Sequence, residues 1–222
     1  MEEAKVVTVW SAKGGKGAST LTIALSQYAA QVGKYSSVVV LDSDKNQSIH
    51  HWSQRREAAK SPRGVVTVLS KSGDLVPTIR TLKQRFAGGI LFIDAGGTDN
   101  KAARSSLLVS DVVVCPTRNS QMDVDVNLEI TAPLIEECRT FNPGLAVLMV
   151  QNSCSTTSQL ERRELANAFM GMESVFRLTS TWICDRKVYR TTIADGLGPY
   201  EGTDVKAKSE IENLFNEMQR EL

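Results

Sequence analysis

The sequence of 222 residues has no long apolar run, no excess of charge of either sign and no closely spaced cysteines. Its longest apolar stretches, such as Val38 to Leu41 and Val112 to Cys115, have the length of a strand and are too short to span a bilayer. The N-terminus lacks the basic-then-apolar layout of a signal peptide, so the cytoplasm is the expected location. Because 26 basic residues balance 25 acidic ones, any contact with nucleic acid needs a local basic patch.

The cysteines are far apart and include no C-x-x-C pair, so neither a zinc site nor a disulfide framework is indicated for Cys115, Cys138, Cys154 and Cys184. A hydrophobic content of 41% and a charged content of 23% are typical of a globular protein and argue against disorder, collagen and coiled coil. The length suits one large α/β domain, and we expect residues 1–222 to form it.

Short β-branched runs alternate with segments of helical periodicity, the pattern of a doubly wound, mostly parallel sheet flanked by helices. Several of the runs are apolar almost throughout, as expected for strands that are covered on both faces. The predicted strands are Val6 to Trp10, Val38 to Leu41, Val65 to Leu69, Ile90 to Ile93, Val112 to Cys115, Leu145 to Val150 and Val175 to Leu178.

Two helices stand out in the sequence. Ser19 to Val32 carries apolar residues at helical spacing. From Asp204 onward a second apolar face is expected to pack on the sheet or on a partner protein, and its members are Ile211, Leu214, Phe215, Met218 and Leu222.

A glycine-rich turn follows the first predicted strand and leads into the first of these helices. It reads Lys13-Gly14-Gly15-Lys16-Gly17-Ala18-Ser19-Thr20. Glycines allow the backbone to turn successive N–H groups toward an anion, and the N-terminus of the following helix favours the same anion. A hydroxyl at Ser19 stands where it would bind Mg²⁺. The segment therefore predicts a phosphate-binding loop.

At these residues the sequence resembles the deviant Walker-A ATPases of the ParA/MinD family, whose loop reads K-G-G-x-G-K-[ST]-[ST]. The resemblance implies that ATP and Mg²⁺ are the cofactors. It implies that Lys13 is the signature lysine, which reaches the phosphates of the partner subunit in a nucleotide-sandwich dimer, and that Ser19 binds Mg²⁺. The nucleotide-binding residues implied by this motif are Gly14, Gly15, Lys16, Gly17, Ala18, Ser19 and Thr20.

Ala18 departs from the motif, because the family places there the lysine that contacts the β- and γ-phosphates. A methyl group cannot neutralise charge on the γ-phosphate, so we expect hydrolysis to be slow or absent. Two explanations remain open: a deliberate Lys→Ala change, or natural degeneration like that of some pilus-localisation relatives whose loop also ends G-A-S-T. Lys16 occupies the variable position of the motif and is not expected to replace the missing lysine.

Acidic residues follow two later strands. Asp42 and Asp44 follow the second predicted strand, and their side chains point to the same side of it. The family's second motif, D-x-D-P-Q, implies that Asp42 lies in the Mg²⁺ shell and that Asp44 orients the attacking water. Asp94 ends an apolar strand in the Walker-B layout, in which the carboxylate holds Mg²⁺ through water. The glycines at 96 and 97 then form a loop near the γ-phosphate.

Two other segments carry weaker resemblance. Pro116 to Ser120, with Asp123 beyond it, resembles the segment that lines the nucleotide and the dimer face in relatives. Gln151 and Asn152 follow a later strand and are expected at the adenine.

Basic residues form two groups. Arg55, Arg56, Lys60 and Arg63 follow the second strand. In ParA relatives the C-terminal basic surface of the ATP-bound dimer binds DNA without sequence preference, which implies DNA contacts at Arg186, Lys187, Arg190, Lys206 and Lys208. The chain begins close to its first strand, as in small ParA proteins whose partner is a separate centromere-binding protein. The resemblance thus implies a nucleoid-associated protein.

The favoured function is an ATPase for partition of plasmid or chromosomal DNA, with hydrolysis disabled by Ala18. A VirC1-like role in conjugative DNA transfer is the alternative within the family. An alternative of another class is a non-hydrolysing localisation scaffold that uses the nucleotide fold. Membrane positioning like that of MinD is not indicated, because acidic residues flank the apolar face of the final helix, among them Glu210, Glu212, Glu217 and Glu221.

Overall fold

The computed structural model describes residues 2–59, 64–97, 100–156 and 159–222. Within these ranges the chain forms a parallel sheet with helices on both faces, as the sequence predicts. The strands are β1 Lys5–Val9, β2 Val38–Asp42, β3 Thr67–Ser70, β4 Ile90–Asp94, β5 Val112–Thr117, β6 Ala146–Cys154, β7 Arg177–Leu178 and β8 Ile183–Cys184. Strand β8 was not predicted; it has only two residues and pairs with the far end of β6.

The helices alternate with the strands along most of the chain. They are α1 Ala18–Val32, α2 Ser48–Ala58, α3 Val76–Arg85, α4 Lys101–Leu107, α5 Gln121–Val126, α6 Ala132–Arg139, α7 Gln159–Ala168, α8 Lys187–Ala194 and α9 Val205–Gln219. A π-helical segment, Asn127–Thr131, joins α5 to α6, and a short 3₁₀ segment, Pro199–Glu201, precedes α9.

The order of strands across the sheet is β3-β2-β4-β1-β5-β6-β7. Alternate residues of each strand point to opposite faces, so neighbours in one strand belong to different apolar cores. Val6 packs in a core with α3, α4 and α6, whereas Val7 packs in a core with α1, α2 and α9. Both faces of β1 are therefore buried, which explains why consecutive residues such as Val6 and Val7 are both apolar.

The apolar face of α9 packs inside this second core rather than on a partner protein. Ile211, Leu214 and Met218 are completely buried, and the ring of Phe215 lies 5.1 Å from that of Tyr28 on α1. Of the two alternatives open at the sequence level, packing within the chain is the one observed. No helix among the described residues has the length and the apolar character needed to cross a bilayer.

The topology brings the ends of three neighbouring strands to one edge of the sheet. Val9 of β1 and Asp42 of β2 both lie in register with Asp94 of β4. In open parallel sheets, ligands bind outside the carboxyl ends of the strands, where the strand order reverses. The edge formed by β2, β4 and β1 is therefore where a ligand site is expected.

Candidate functional site

The glycine-rich loop connects β1 to α1 at this edge. Its backbone has φ values of 79° at Gly15 and 91° at Gly17, a left-handed conformation that favours glycine. Gly17 is the N-cap of α1, and no side chain caps that helix end. The first N–H groups of a helix have no partner within the helix, and the helix dipole makes this end positive. The loop therefore presents an uncapped helix N-terminus to any anion in front of it.

Neighbouring segments fix this loop in place. The Asn152 side-chain amide donates a hydrogen bond of 2.5 Å to the carbonyl of Lys16, and a Cβ at Gly17 would collide with the same amide. On the other side, a Cβ at Gly97 would lie 2.5 Å from Cα of Gly14. Only glycine permits these two close approaches, so the loop is held between β6 and the segment after β4.

A cavity of about 740 Å³ opens in front of the loop. The loop itself forms one wall, and the segments after β2 and β4 form the other. The lining residues outside the loop include Ser43, Asp44, Lys45, Asn46, Asp94, Gly96, Gly97, Asn100 and Lys101. Lys45 and Lys101 are cations that line this cavity and had no role in the sequence analysis. Lys45 occupies the proline position of the D-x-D-P-Q motif, where it is a departure from the family, and Lys101 lies outside the motifs.

Asp94 is the most perturbed carboxyl in the cavity. It is completely buried, and neither carboxylate oxygen makes a hydrogen bond of standard geometry to a described residue. Burial raises its pKa to about 7, an effect reinforced by Asp42 and Asp44 and partly opposed by the hydroxyl of Ser19. A buried carboxylate with free oxygens beside a hydroxyl is an arrangement that a divalent cation would complete.

Asp42 lies on the neighbouring strand, and its carboxylate has hydrogen-bond partners within the fold. Its carboxylate accepts hydrogen bonds from the backbone N–H groups of Asp44, Ile49 and His50 at 3.2, 3.0 and 3.0 Å. These bonds attach the start of α2 to β2, and Asp42 is not among the described residues that line the cavity. Asp44 does line it. The Mg²⁺ role assigned to Asp42 from the family motif therefore stays a prediction, and its observed contacts are to backbone.

The lysines of the loop converge on a carboxylate of α5. Lys13 Nζ lies 3.3 Å from Asp123 Oδ1, and Lys16 Nζ forms an ion pair with the same oxygen. The sequence analysis grouped Asp123 with the dimer face, whereas its side chain is buried against these lysines. Ala18, at the first position of α1, lines the cavity with a methyl group.

Gln151 and Asn152, expected at the adenine, are both buried at the end of β6. The Asn152 amide is engaged by the loop carbonyl, and the Gln151 amide nitrogen has no hydrogen-bond partner among the described residues. Neither belongs to the described residues that line the 740 Å³ cavity. Their contact with a base stays a prediction.

Within the described part of the chain, no group of three or more His, Cys, Asp or Glu side chains could hold a metal ion without other ligands. Mg²⁺ usually takes one or two carboxylates, with the remaining ligands from waters and phosphates. Asp94 and Ser19 fit that use. Cys115, Cys138, Cys154 and Cys184 are all buried.

Comparison with known proteins supports this interpretation of the loop and the sheet. No family model matches the sequence. A 146-residue region, 65% of this chain, is 27% identical to protein ParA of Rhizobium radiobacter and spans 63% of that protein's length. The chain superposes on a plasmid partition protein of Borrelia burgdorferi bound to AMPPNP with a TM-score of 0.74 and 16% identity, over 99% of this chain and 100% of the other.

Two further solved structures share the fold. Apo McdA of Cyanothece has a TM-score of 0.75 at 12% identity, covering 97% of this chain and 99% of the other. The septum site-determining protein MinD of Pyrococcus horikoshii, complexed with Mg-ADP, has a TM-score of 0.66 at 19% identity, covering 96% of this chain and 95% of the other. The likeness to these solved structures shows the fold. The fold is that of a P-loop NTPase of the ParA/MinD type.

The predicted DNA-binding residues of this chain differ in their availability. Lys187, Arg190 and Lys206 are exposed. Arg186 is largely buried and donates hydrogen bonds of 2.9 and 2.6 Å to Glu210. Lys208 lies over the ring of Tyr200. Arg186 thus has a structural role in joining α8 to α9, and the exposed lysines are the better candidates for contact with phosphates.

The basic group after β2 does not form a basic patch in the described residues. Arg56 is buried and pairs with the buried Glu201 at 2.8 Å, which ties α2 to the segment before α9. Arg55 Nε donates to the carbonyl of Ile193 at 3.4 Å. Lys60 and Arg63 lie outside the described residues. Arg56 therefore stabilises the packing of helices and is not available to DNA.

Proposed function

We propose that this chain is a ParA-type partition or positioning protein that binds ATP with Mg²⁺ in the cavity beside the glycine-rich loop. One observation carries the proposal. The uncapped N-terminus of α1 and the buried, unpartnered carboxylate of Asp94 border the same cavity. The first attracts phosphate and the second attracts a divalent cation, so together they suit a nucleotide–metal pair.

The relatives support this choice of ligand. The Borrelia burgdorferi partition protein was solved with AMPPNP, and the Pyrococcus horikoshii MinD with Mg-ADP. In this chain the loop backbone from Gly14 to Thr20 would hold the phosphates. Ser19 and Asp94 would bind the metal, and Asp44, which lines the cavity, would orient the attacking water. The metal would supply neutralisation of phosphate charge.

Hydrolysis is the step that this chain is expected to lack. A lysine at position 18 would place an ammonium at the start of α1, where charge develops on the γ-phosphate during transfer. Ala18 offers no charge there, and the ammonium of Lys16 is engaged by Asp123. The chain would thus bind nucleotide and fail to turn it over at a useful rate.

Nucleotide-dependent dimerisation and binding of non-specific DNA are part of the same proposal. Lys13 lines the cavity and is 37% exposed, so it can reach beyond its own subunit. The exposed Lys187 and Lys206 would contact DNA phosphates, and a separate centromere-binding protein would be the partner. A VirC1-like role in conjugative transfer uses the same chemistry and differs in the DNA that is moved.

A second candidate is a localisation scaffold that binds nucleotide without hydrolysis as its native behaviour. It is favoured by the combination of Ala18 with a carboxylate, Asp123, that already engages both remaining loop lysines. This candidate treats Ala18 as natural, whereas the first fits either a natural or a deliberate substitution.

Calorimetric titration with Mg-AMPPNP, followed by light scattering, tests the proposed function. We expect saturable binding, with dimer formation in the presence of nucleotide. Ser19→Ala should weaken binding only when Mg²⁺ is present, and Lys13→Ala should reduce dimerisation more than binding. No binding by the unaltered chain at millimolar nucleotide would refute the proposal.

A further inference from the structure

The carboxylate of Asp123 contacts two lysines at once. Its Oδ1 atom is shared by Lys13 and Lys16, and its side chain is only 3% exposed. Burial, the largest single cause, acts to raise its pKa, but hydrogen bonds from Lys16, Lys13 and Ser120 and the charge of Lys16 together hold that pKa below its ordinary value. Asp123 is therefore ionised, and one negative charge is divided between two positive ones.

The two lysines are not equivalent. The side chain of Lys16 is 8% exposed, whereas that of Lys13 is 37% exposed. If the ammonium of Lys16 moved away from Asp123, a buried charge would have no opposite charge beside it, which would destabilise the fold. Lys13 can leave Asp123 and enter water or the cavity at little cost. Lys16 is thus the resident partner of Asp123, and Lys13 is the exchangeable one.

Lys16 is also held at its other end. The Asn152 amide binds its carbonyl at 2.5 Å, while its ammonium is bound by Asp123. Its backbone and its side chain are both fixed, so movement of its ammonium to a phosphate would require breaking the buried ion pair. The position that the family motif leaves variable therefore carries a lysine that is fixed in this chain.

We propose that Lys16 is a positioning residue, which neutralises Asp123 and so leaves Lys13 free to move from Asp123 to a phosphate group in the cavity. The inference rests on the proposed function, because it takes a nucleotide as the ligand of the cavity. Lys16 itself contacts no phosphate in this account. Without Lys16, Asp123 becomes the full partner of Lys13 and competes with the nucleotide for it.

A double-mutant cycle separates this role from direct phosphate binding. The variants are Lys16→Met, Asp123→Asn and the two combined, with Lys34→Met, just beyond the C-cap of α1, as a control that removes the same charge. The first readout is the affinity for Mg-AMPPNP. The second is the rate at which an amine-reactive reagent labels Lys13 in nucleotide-free protein, measured by mass spectrometry.

We expect Lys16→Met to weaken Mg-AMPPNP binding about fivefold, the scale of a partly exposed ion pair, and to slow the labelling of Lys13. In the Asp123→Asn background the same change should have no effect on either readout. Lys34→Met should leave both unchanged in both backgrounds. Thermal unfolding checks that every variant is folded. Asp123→Asn alone is expected to unfold at a lower temperature, because Lys16 loses its buried partner, so both readouts are taken well below that temperature; the combined variant restores neutrality at the buried site.

An equal loss of affinity in both backgrounds would make Lys16 a phosphate ligand and overturn the inference. So would a Lys13 labelling rate that Lys16→Met does not change. If the unaltered chain binds no Mg-AMPPNP, the proposed function fails, while the labelling of Lys13 still decides whether Lys16 controls it. The two failures are therefore distinguishable.

Discussion

Asp42 and Asp94 end neighbouring parallel strands in exact register, yet their carboxylates have opposite environments. Asp42 accepts hydrogen bonds from three backbone N–H groups, that of Asp44 in the following loop and those of Ile49 and His50 at the start of α2. Asp94 has no such partner among the described residues. The first carboxylate is satisfied by the fold, and the second requires a proton or a cation. Asp42 therefore has a structural role, and the carboxylate of Asp94 is available to a ligand.

The stability of the metal-free protein should therefore depend on the protonation of Asp94. Its pKa is about 7 in the fold, against about 4 in an unfolded chain. Between these values the folded chain retains a proton that the unfolded chain releases, so the free energy of unfolding falls as pH rises from about 4 to 7 and then levels off. The loss is up to about 4 kcal/mol.

Urea unfolding in EDTA at pH 5 and pH 8 measures this loss. Asp94→Asn should reduce the difference between the two pH values, leaving the smaller part due to Asp42, whose pKa is also raised by burial. An unchanged pH dependence in the variant would contradict the assignment.

A side chain at Gly17 is expected to destabilise the fold more than a side chain at a left-handed glycine that has open space around it. Gly17→Ala should lower the free energy of unfolding by more than about 2 kcal/mol and abolish nucleotide binding, because strain at φ 91° is added to a collision with Asn152. Gly33→Ala at the C-cap of α1 is the control. Its φ is 66° and a Cβ there meets no atom within 4 Å, so about 1 kcal/mol is expected. Equal losses by chemical denaturation would show that the contact with Asn152 is unimportant.

Two neighbouring basic residues of the C-terminal third should respond differently to substitution. Lys187→Ala should weaken DNA binding and lower its salt dependence by about one unit of slope, with stability unchanged. Arg186→Ala should cost about 1–3 kcal/mol of stability, because Glu210 loses its partner between α8 and α9. Fluorescence anisotropy with duplex DNA at several salt concentrations, together with thermal unfolding, separates the effects. The reverse pattern would count against the proposed surface.

The sheet was predictable because its strands carry strong local signals. A strand buried on both faces is expected to be apolar almost throughout, and β2, β4 and β5 all are. The two-residue β8 gave no such signal, because its pairing depends on a distant irregularity in β6. The glycine-rich loop was predictable because the spacing of its glycines depends directly on the backbone conformation.

Side-chain partners could not be predicted in the same way. The sequence shows that Lys16 lies in the loop, but Asp123 is 107 positions later and meets it only through the crossover of β5. Arg56 and Glu201 are also far apart in the sequence. Their ion pair buries an arginine that the sequence alone grouped with a basic cluster. Local pattern thus located the site, and tertiary contacts determined which charges are available there.

The most direct test of the account compares the hydrolysis of Mg-ATP by the unaltered chain and by Ala18→Lys, with and without non-specific DNA. Restoration of the ammonium at the start of α1 should raise the rate by about a hundredfold, the scale of one lost charge-stabilising donor, while the unaltered chain binds ATP and does not turn it over. Equal hydrolysis by both chains, or none by Ala18→Lys despite tight binding, would contradict a partition-type ATPase disabled at position 18.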